Sequence, residues 1–182
     1  IYRFAFFLLR AIPAKPARLS PADLIYIYAD KDAFVRSWQP DANFGSDYYL
    51  NISLDPRDPP AREEAMLIHF DLAGLPANAT IDAATLELYQ VGATGVAPVT
   101  ISLYSVIDAW SESAVTYNAF PRINPNWPLA WSIDAIVNEY KGCDLTTLAQ
   151  SWRSNPTTNQ GVFLRGPAST LFLRAFESRN KN

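Results

Sequence analysis

Residues 80–91 read TIDAATLELYQV, and this stretch decides the fold class of the chain. Residue types alternate along it with a period of two, as they do in a strand that buries one face. One face carries Ala84, Leu86, Leu88 and Gln90, and the other carries Thr85, Glu87 and Tyr89. Residues 99–107 (VTISLYSVI) repeat the alternation after a Gly/Ala/Pro loop, so the sequence predicts two long, half-buried strands joined by a turn.

Shorter strands and proline-rich turns fill most of the remaining sequence. Strands are predicted at 24–28, 33–36, 48–54, 65–71, 129–133, 161–165 and 170–176. One short helix is predicted over 144–152, with Asp144 as its N-cap and Leu148 and Trp152 on its buried face. Because strands and helices do not alternate, the fold class is all-β, an antiparallel β-sandwich of the jelly-roll type with one short helix.

The first ten residues, IYRFAFFLLR, are the most apolar decamer in the chain. At period two, one face is wholly apolar, and it consists of Tyr2, Phe4, Phe6 and Leu8. The segment is too short to span a membrane, which takes about 20 apolar residues. A remnant of a signal peptide is the alternative to a strand. An uncovered strand of this kind would aggregate, so we expect this subunit or a neighbouring one to cover it.

Residues 11–23 (AIPAKPARLSPAD) contain three prolines and predict an extended tether. At about 3.1 Å per residue it would span about 40 Å. The sequence therefore predicts three segments, a detached N-terminal strand at 1–10, a linker at 11–23 and a β-sandwich domain at 24–182.

Composition narrows the function classes. The net charge of −3 offers no basic surface to nucleic acid. A single cysteine, Cys143, permits no internal disulfide, so it is interpreted as a buried apolar residue, with an intermolecular bridge as the alternative. The single histidine, His69, lies in a predicted strand and is interpreted as structural. The 14 prolines indicate a loop-rich extracellular β-protein.

A set of motifs resembles the DNRLRE-type β-sandwich domains, a family that includes alginate-binding modules and repeats related to archaeal disaggregatase. The motifs are DAFVRS at 32–37, HFDL at 69–72, IDAATLEL at 81–88, AWSESAVTYN at 109–118 and FESR at 176–179. The resemblance covers roughly Asp30 to Asn180. It implies a jelly-roll sandwich on secreted or surface proteins, often non-catalytic, and some relatives bind acidic polysaccharide.

The chain departs from this family after Ser178-Arg179, where a further apolar strand usually follows and only three residues remain. A missing strand at one end and a surplus strand at the other lead to our first hypothesis. Residues 1–10 would insert into the sandwich of the next identical subunit, as in donor-strand complementation, and build an extracellular, pilus-like filament. The alternative is that the strand completes its own domain.

The second hypothesis is a non-catalytic module that binds an acidic polysaccharide such as alginate. Aromatic rings stack on sugar rings, and arginines bind uronate carboxylates. The candidate residues are Trp38, Tyr48, Tyr49, Trp127, Arg36 and Arg165, with Trp131, Arg57 and Arg174 as further possibilities. Trp131 is also a candidate core residue.

No catalytic set is evident, so the sequence predicts no enzyme. Glu63 and Glu64 are adjacent on a strand and face opposite sides, while Asp108 and Glu112 lie near a turn. No cofactor is expected, except that an oxygen-rich loop could bind calcium through Asp30, Asp32, Asp41 and Asp47. Glycosylation sequons occur at Asn51 and Asn78.

Overall fold

The computed structural model describes residues 6–13, 23–76, 79–126 and 128–181. Within these ranges the strands are β1 Phe6–Pro13, β2 Asp23–Tyr28, β3 Lys31–Arg36, β4 Tyr49–Asp55, β5 Arg62–His69, β6 Ala79–Gly95, β7 Val99–Ser105, β8 Leu129–Ile133, β9 Glu139–Asp144, β10 Val162–Arg165 and β11 Phe172–Glu177. The helix α1 is Thr146–Ser154, and a 3-10 turn follows at Pro156–Thr158. The strands pair antiparallel throughout these ranges, so the all-β prediction is confirmed.

The strands form one nearly closed sheet. They pair in the order β2-β1-β6-β11-β4-β5-β10-β7-β8, while β3 pairs with β5 and β9 pairs with β6. Glu64 of β5 is opposite both Arg36 of β3 and Ser53 of β4, so β3 and β4 lie on the two edges of β5. On its other edge β4 pairs with β11. Strand β4 therefore connects one half of the sheet, formed by β3, β5, β10, β7 and β8, to the other half, formed by β4, β11, β6, β9, β1 and β2.

The main hydrophobic core lies between these two halves. One half contributes Phe34, Met66, Ile68, Ile101, Leu103, Trp131 and Leu164, and the other contributes Leu50, Ile52, Leu86, Leu88, Phe172 and Phe176. Each large side chain buried in this way stabilises the fold by about 1.5–3 kcal/mol. Trp131 therefore belongs to the core and not to a sugar-stacking surface.

A second, smaller core covers the outer face of β5. Ala65 and Leu67 pack there against Val106 and Val115 of the 106–123 loop. Successive residues of β5 consequently enter different cores, which explains why this strand is apolar without alternation. Phe163 of β10 completes the cluster.

Helix α1 buries Leu148 and Trp152 as predicted, but it begins later than expected. Leu145 occupies the N-cap position and makes no side-chain capping bond. Asp144 lies one residue earlier, where its carboxylate accepts the backbone N–H of Thr146 at 2.8 Å. The carboxylate thus satisfies an N–H of the first helical turn although it is not at the cap itself.

Strand β1 pairs with β2 and β6 of its own chain, which agrees with the alternative that the N-terminal strand completes its own domain. This pairing gives no support to the predicted role of residues 1–10 as a strand donated to a neighbour. The register places Leu9 opposite Ile25 and Ala84, and Leu8 opposite Tyr26 and Thr85.

Residues 6–9 are all apolar, so the sequence pattern alone does not choose between the two faces of this strand, and the predicted buried face stays a prediction. Tyr2 and Phe4 lie outside the described residues, as do positions 14–22 of the predicted tether. Strand β1 itself continues to Pro13, three residues into that tether.

The end of the chain does not leave the open edge that the sequence suggested. Strand β11 pairs with β4 on one edge and with β6 on the other. Beyond it, Ser178 and Arg179 hydrogen-bond to Asp32. No unpaired edge at β11 is therefore available to a donated strand.

Strand β9 was not predicted, because its sequence EYKGCD lacks apolar alternation. Lys141 is nevertheless buried there and forms ion pairs with Asp134 and Glu139. Cys143 packs in the main core two residues later, as predicted for this cysteine.

Candidate functional site

A surface groove lies over the paired segments of β4 and β5, beside the start of β11. Its volume is about 430 Å³. The residues that matter for its chemistry are Arg36, Trp38, Asn51, Ser53, Asp55, Arg57, Arg62 and Glu64. Three of these eight side chains are arginines, and we call the site the arginine groove.

Glu64 anchors the groove from a buried position. Glu64 is only 3% exposed. One carboxylate oxygen accepts a hydrogen bond from Arg36 Nε at 2.7 Å and from Asn51 Nδ2 at 3.3 Å. The other oxygen accepts the hydroxyl of Ser53 at 2.8 Å. A buried carboxylate that accepts three hydrogen bonds holds the Arg36 and Asn51 side chains in fixed directions.

Arg36 is also held by aromatic rings. Its guanidinium carbon lies 4.7 Å from the ring centre of Phe34 and 4.5 Å from that of Phe44. The two rings stack on each other with centres 4.7 Å apart. Cation–π contacts of this kind favour a planar guanidinium over the aromatic face. Arg36 is therefore a rigid cation, pre-arranged before any ligand arrives.

The rim of the groove carries two more arginines, both in exposed ion pairs. Arg57 makes two bonds to the Asp55 carboxylate, at 2.8 and 2.7 Å. This contact lowers the pKa of Asp55 to about 2. Arg62 pairs with Asp58 at 3.0 Å. Water and salt screen exposed pairs of this kind, so the carboxylate of a ligand can compete with Asp55 or Asp58 for these arginines.

Trp38 is the aromatic residue of the groove and is 40% exposed. The guanidinium of Arg36 lies 5.6 Å from its ring centre, and that of Arg62 lies 5.9 Å away. A partly exposed indole near two guanidinium groups combines apolar surface with planar hydrogen-bond donors. Sugar rings present C–H faces and oxygen acceptors, and this combination of groups suits them.

A family comparison agrees with this chemistry, because the model of carbohydrate-binding module family 96 matches residues 24–182. The chain belongs to carbohydrate-binding module family 96. The match bears out the carbohydrate-binding part of the resemblance described above, and it does not extend to the disaggregatase-related repeats. A search of the curated proteins found no match.

The family 96 module brings only some of the predicted sugar-binding residues into the groove. Arg36, Trp38 and Arg57 line it. Tyr48 and Tyr49 are exposed near the start of β4, where Lys181 lies over the Tyr49 ring at 4.8 Å, and neither tyrosine lines the groove. Trp127 lies outside the described residues.

Two predicted arginines are engaged elsewhere. Arg165 forms an ion pair with Glu63, which also accepts the hydroxyl of Tyr117 at 3.0 Å. This contact raises the pKa of Arg165. Arg174 is fully buried and donates to four backbone carbonyls, those of Asp134, Thr94, Leu173 and Val96. Burial lowers the pKa of Arg174.

Arg62 is the groove residue that sequence reasoning missed. It follows the proline-rich turn at 55–60, and nothing in that local pattern distinguishes it from a solvated surface arginine. The signal that could have found it is its register. In an antiparallel β4–β5 hairpin Arg62 lies opposite Asp55, so both rim arginines come to the same end of the sheet.

The four aspartates predicted to bind calcium do not converge. Asp30 bonds to His69, Asp32 to Ser178 and Asp41 to Asn118. The part of the chain that the structure describes contains no group of three or more His, Cys, Asp or Glu side chains arranged to hold a metal ion. Calcium binding by the four aspartates stays a prediction.

The carboxylates considered for catalysis are also committed to separate partners. Glu63 and Glu64 bond to different groups on opposite faces of β5. Asp108 pairs with Arg122, and Glu112 with Arg179.

The two glycosylation sequons lie in different places. Asn51 lies in the groove and donates to Glu64, whereas Asn78 lies outside the described residues. Among the residues described, no helix is long and apolar enough to cross a membrane.

Proposed function

We propose that this chain is a non-catalytic module that binds polysaccharide outside the cell, and that the arginine groove is its binding site. The family 96 match over residues 24–182 supports carbohydrate binding. The observation that carries the choice of site is the exposed Trp38 ring, which lies within 6 Å of the guanidinium groups of both Arg36 and Arg62. The filament hypothesis is set aside, because β1 pairs within its own chain.

The ligand class that we propose is an acidic polysaccharide, such as the uronate polymer alginate. Arginine is suited to this role because its planar donors bind a carboxylate through two parallel hydrogen bonds. Arg57 and Arg62 carry such donors at an exposed rim, where their present partners Asp55 and Asp58 are weakly bound. A uronate carboxylate would take the place of either aspartate, while Trp38 would pack against the apolar face of the sugar ring.

Affinity electrophoresis and calorimetry on alginate test this proposal. The double variant Arg57→Ala/Arg62→Ala removes both rim guanidinium groups, and we expect at least a tenfold loss of affinity, because these groups supply the paired donors for the uronate carboxylates. Trp38→Ala should weaken binding to a similar degree. Binding should also fall as salt rises, because the attraction between charges is screened.

The matched control is Arg122→Ala. Arg122 forms an equally exposed pair with an aspartate, Asp108, but it lies outside the groove. Its loss should leave alginate binding unchanged. If the control and the groove variants behave alike, or if a neutral mannan binds as tightly as alginate, then the acidic-ligand assignment to this groove is wrong.

A further inference from the structure

The outer face of β4 continues beyond the arginine groove. The residues of β4 that pack in the main core are Leu50, Ile52 and Leu54. Because successive side chains of a strand point to opposite faces, Tyr49, Asn51 and Ser53 share the outer face. Asn51 and Ser53 line the groove. Tyr49 is the next residue on that face, about 7 Å from Asn51 at about 3.4 Å per residue.

Small residues form the sheet surface beside this part of β4. Ala175 of β11 lies opposite Asn51, and Gly92 of β6 lies opposite Ala175. The two small residues are close, since a Cβ atom added to Gly92 would lie 3.1 Å from the Cβ atom of Ala175. Neither has a side chain that rises above the sheet. The surface from the groove towards Tyr49 is therefore low on the side of β11 and β6.

An aromatic residue and a cation lie together where this surface reaches the start of β4. Tyr49 is 45% exposed. The Lys181 Nζ atom lies 3.5 Å from the Tyr49 phenol oxygen and 4.8 Å from the ring centre. The ammonium group is thus nearer to the hydroxyl end of the ring than to its centre, and the tyrosine keeps its exposed surface. We call Tyr49 and Lys181 the tyrosine subsite.

Lys181 is the accessible partner of its ion pair. Its Nζ donates to the Glu177 carboxylate at 2.7 Å. The Lys181 side chain is 35% exposed, whereas that of Glu177 is only 11% exposed. This bond raises the pKa of Lys181, so the amine stays charged at neutral pH. Because an ammonium group has three donors, Lys181 can bond to a ligand without releasing Glu177.

We infer that the polysaccharide chain lies along β4, with one sugar residue in the arginine groove and a later residue of the same chain at the tyrosine subsite. The inference rests on the proposed function of the groove and extends it. From Asp55 at the rim to Tyr49 the strand spans about 20 Å at about 3.4 Å per residue, which is longer than a single sugar residue. The Tyr49 ring packs against the C–H face of the later residue, and Lys181 donates to its oxygens. Affinity therefore increases with the length of the chain.

Alginate oligosaccharides of defined size test this inference in an NMR titration of ¹⁵N-labelled protein. The disaccharide and the hexasaccharide should both shift the indole N–H of Trp38, whereas only the hexasaccharide should shift the backbone amides of Tyr49 and Lys181. The hexasaccharide should bind at least about tenfold more tightly, because its second contact is made within one ligand. Tyr49→Ala/Lys181→Ala should weaken hexasaccharide binding about tenfold and leave disaccharide binding unchanged.

Phe120→Ala is the matched control. Phe120 is 42% exposed, close to the value for Tyr49, and it lies on the 106–123 loop outside the groove. Its loss should change neither affinity, and a loss equal to that of the double variant would count against the subsite.

Two results overturn the inference and leave the groove intact. In the first, Tyr49→Ala/Lys181→Ala binds the hexasaccharide like the unmodified protein. In the second, the hexasaccharide shifts Trp38 but neither Tyr49 nor Lys181. A protein that binds neither oligosaccharide would instead contradict the proposed function itself.

Discussion

The carboxylate of Asp32 and the hydroxyl of Ser178 lie 2.8 Å apart, although 146 residues separate them in the chain. The second carboxylate oxygen of Asp32 accepts the backbone N–H of Arg179, also at 2.8 Å. The Arg179 guanidinium binds Glu112, which in turn accepts the N–H of Asp32 at 2.9 Å. One polar cluster therefore ties the start of β3, the 106–123 loop and the end of the chain together.

This cluster predicts a pH dependence of stability. Burial raises the pKa of Asp32 from 3.8 to about 6, against the hydrogen bonds from Arg179 and Ser178, which lower it. The folded chain then binds this proton more tightly than the unfolded chain does. The contribution of Asp32 to the free energy of unfolding is complete below about pH 4 and is lost as the pH rises through about 6. The loss should be about 1–3 kcal/mol.

Urea unfolding at steps between about pH 4 and pH 7 measures this loss. Asp32→Asn cannot titrate, so the difference in unfolding free energy between the unmodified protein and the variant should change across that interval. A difference that stays constant with pH would show that Asp32 does not titrate as we expect.

Glu64→Gln should weaken both the fold and the groove. Glutamine still accepts the hydroxyl of Ser53, but its NH₂ group faces the donors of Arg36 or Asn51. We expect a loss of about 1–3 kcal/mol in the free energy of unfolding and weaker alginate binding, because Arg36 is no longer held in place. Glu139→Gln, at an exposed carboxylate outside the groove, is the control for binding. Normal alginate affinity in Glu64→Gln would contradict the proposal that Glu64 positions Arg36 for binding.

Gly45→Ala tests a close approach between two backbones. A Cβ atom at Gly45 would lie 2.0 Å from the carbonyl oxygen of Glu112, and backbone cannot move aside as a flexible side chain does. We expect destabilisation of about 1–3 kcal/mol. Gly74→Ala provides the matched control, because no atom lies within 4 Å of its added Cβ. Thermal unfolding that shows equal midpoints for the two variants would refute the contact.

The register of β1 can be tested with two neighbouring leucines. The register pairs Leu9 with Ile25 and Ala84 of the main core, and it pairs Leu8 with Tyr26 and Thr85. Leu9→Ser should therefore cost about 2–4 kcal/mol in unfolding free energy, and Leu8→Ser should cost less than about 1 kcal/mol. The opposite order would restore the face that the sequence pattern suggested.

The sequence predicted those strands whose apolar residues alternate or cluster between turns. Strand β8 was placed at 129–133, as observed. Strand β9 was missed because its buried lysine is neutralised by Asp134 and Glu139, and a single sequence does not reveal that pairing. Tertiary pairing likewise sets the register of β1 against β2 and β6, which its uniformly apolar sequence does not specify.

Three residues of the proposed groove were among the sequence candidates. Arg36, Trp38 and Arg57 were chosen because aromatic rings stack on sugars and arginines bind uronate carboxylates. Arg174 looked equally suitable, but in the fold it binds backbone carbonyls instead of a ligand. Spacing along the chain indicates which side chains are capable of binding, whereas register and burial determine which of them reach the same surface.

The position of Cys143 has a practical consequence. Desolvation by burial raises the pKa of its thiol to about 12, so the reactive thiolate is scarce at neutral pH. The sequence contains no second cysteine. A cysteine introduced at the exposed Asp58, on the groove rim, would then react selectively with maleimide dyes or with an activated support. The module can therefore be labelled or immobilised at one chosen atom without first removing its native thiol.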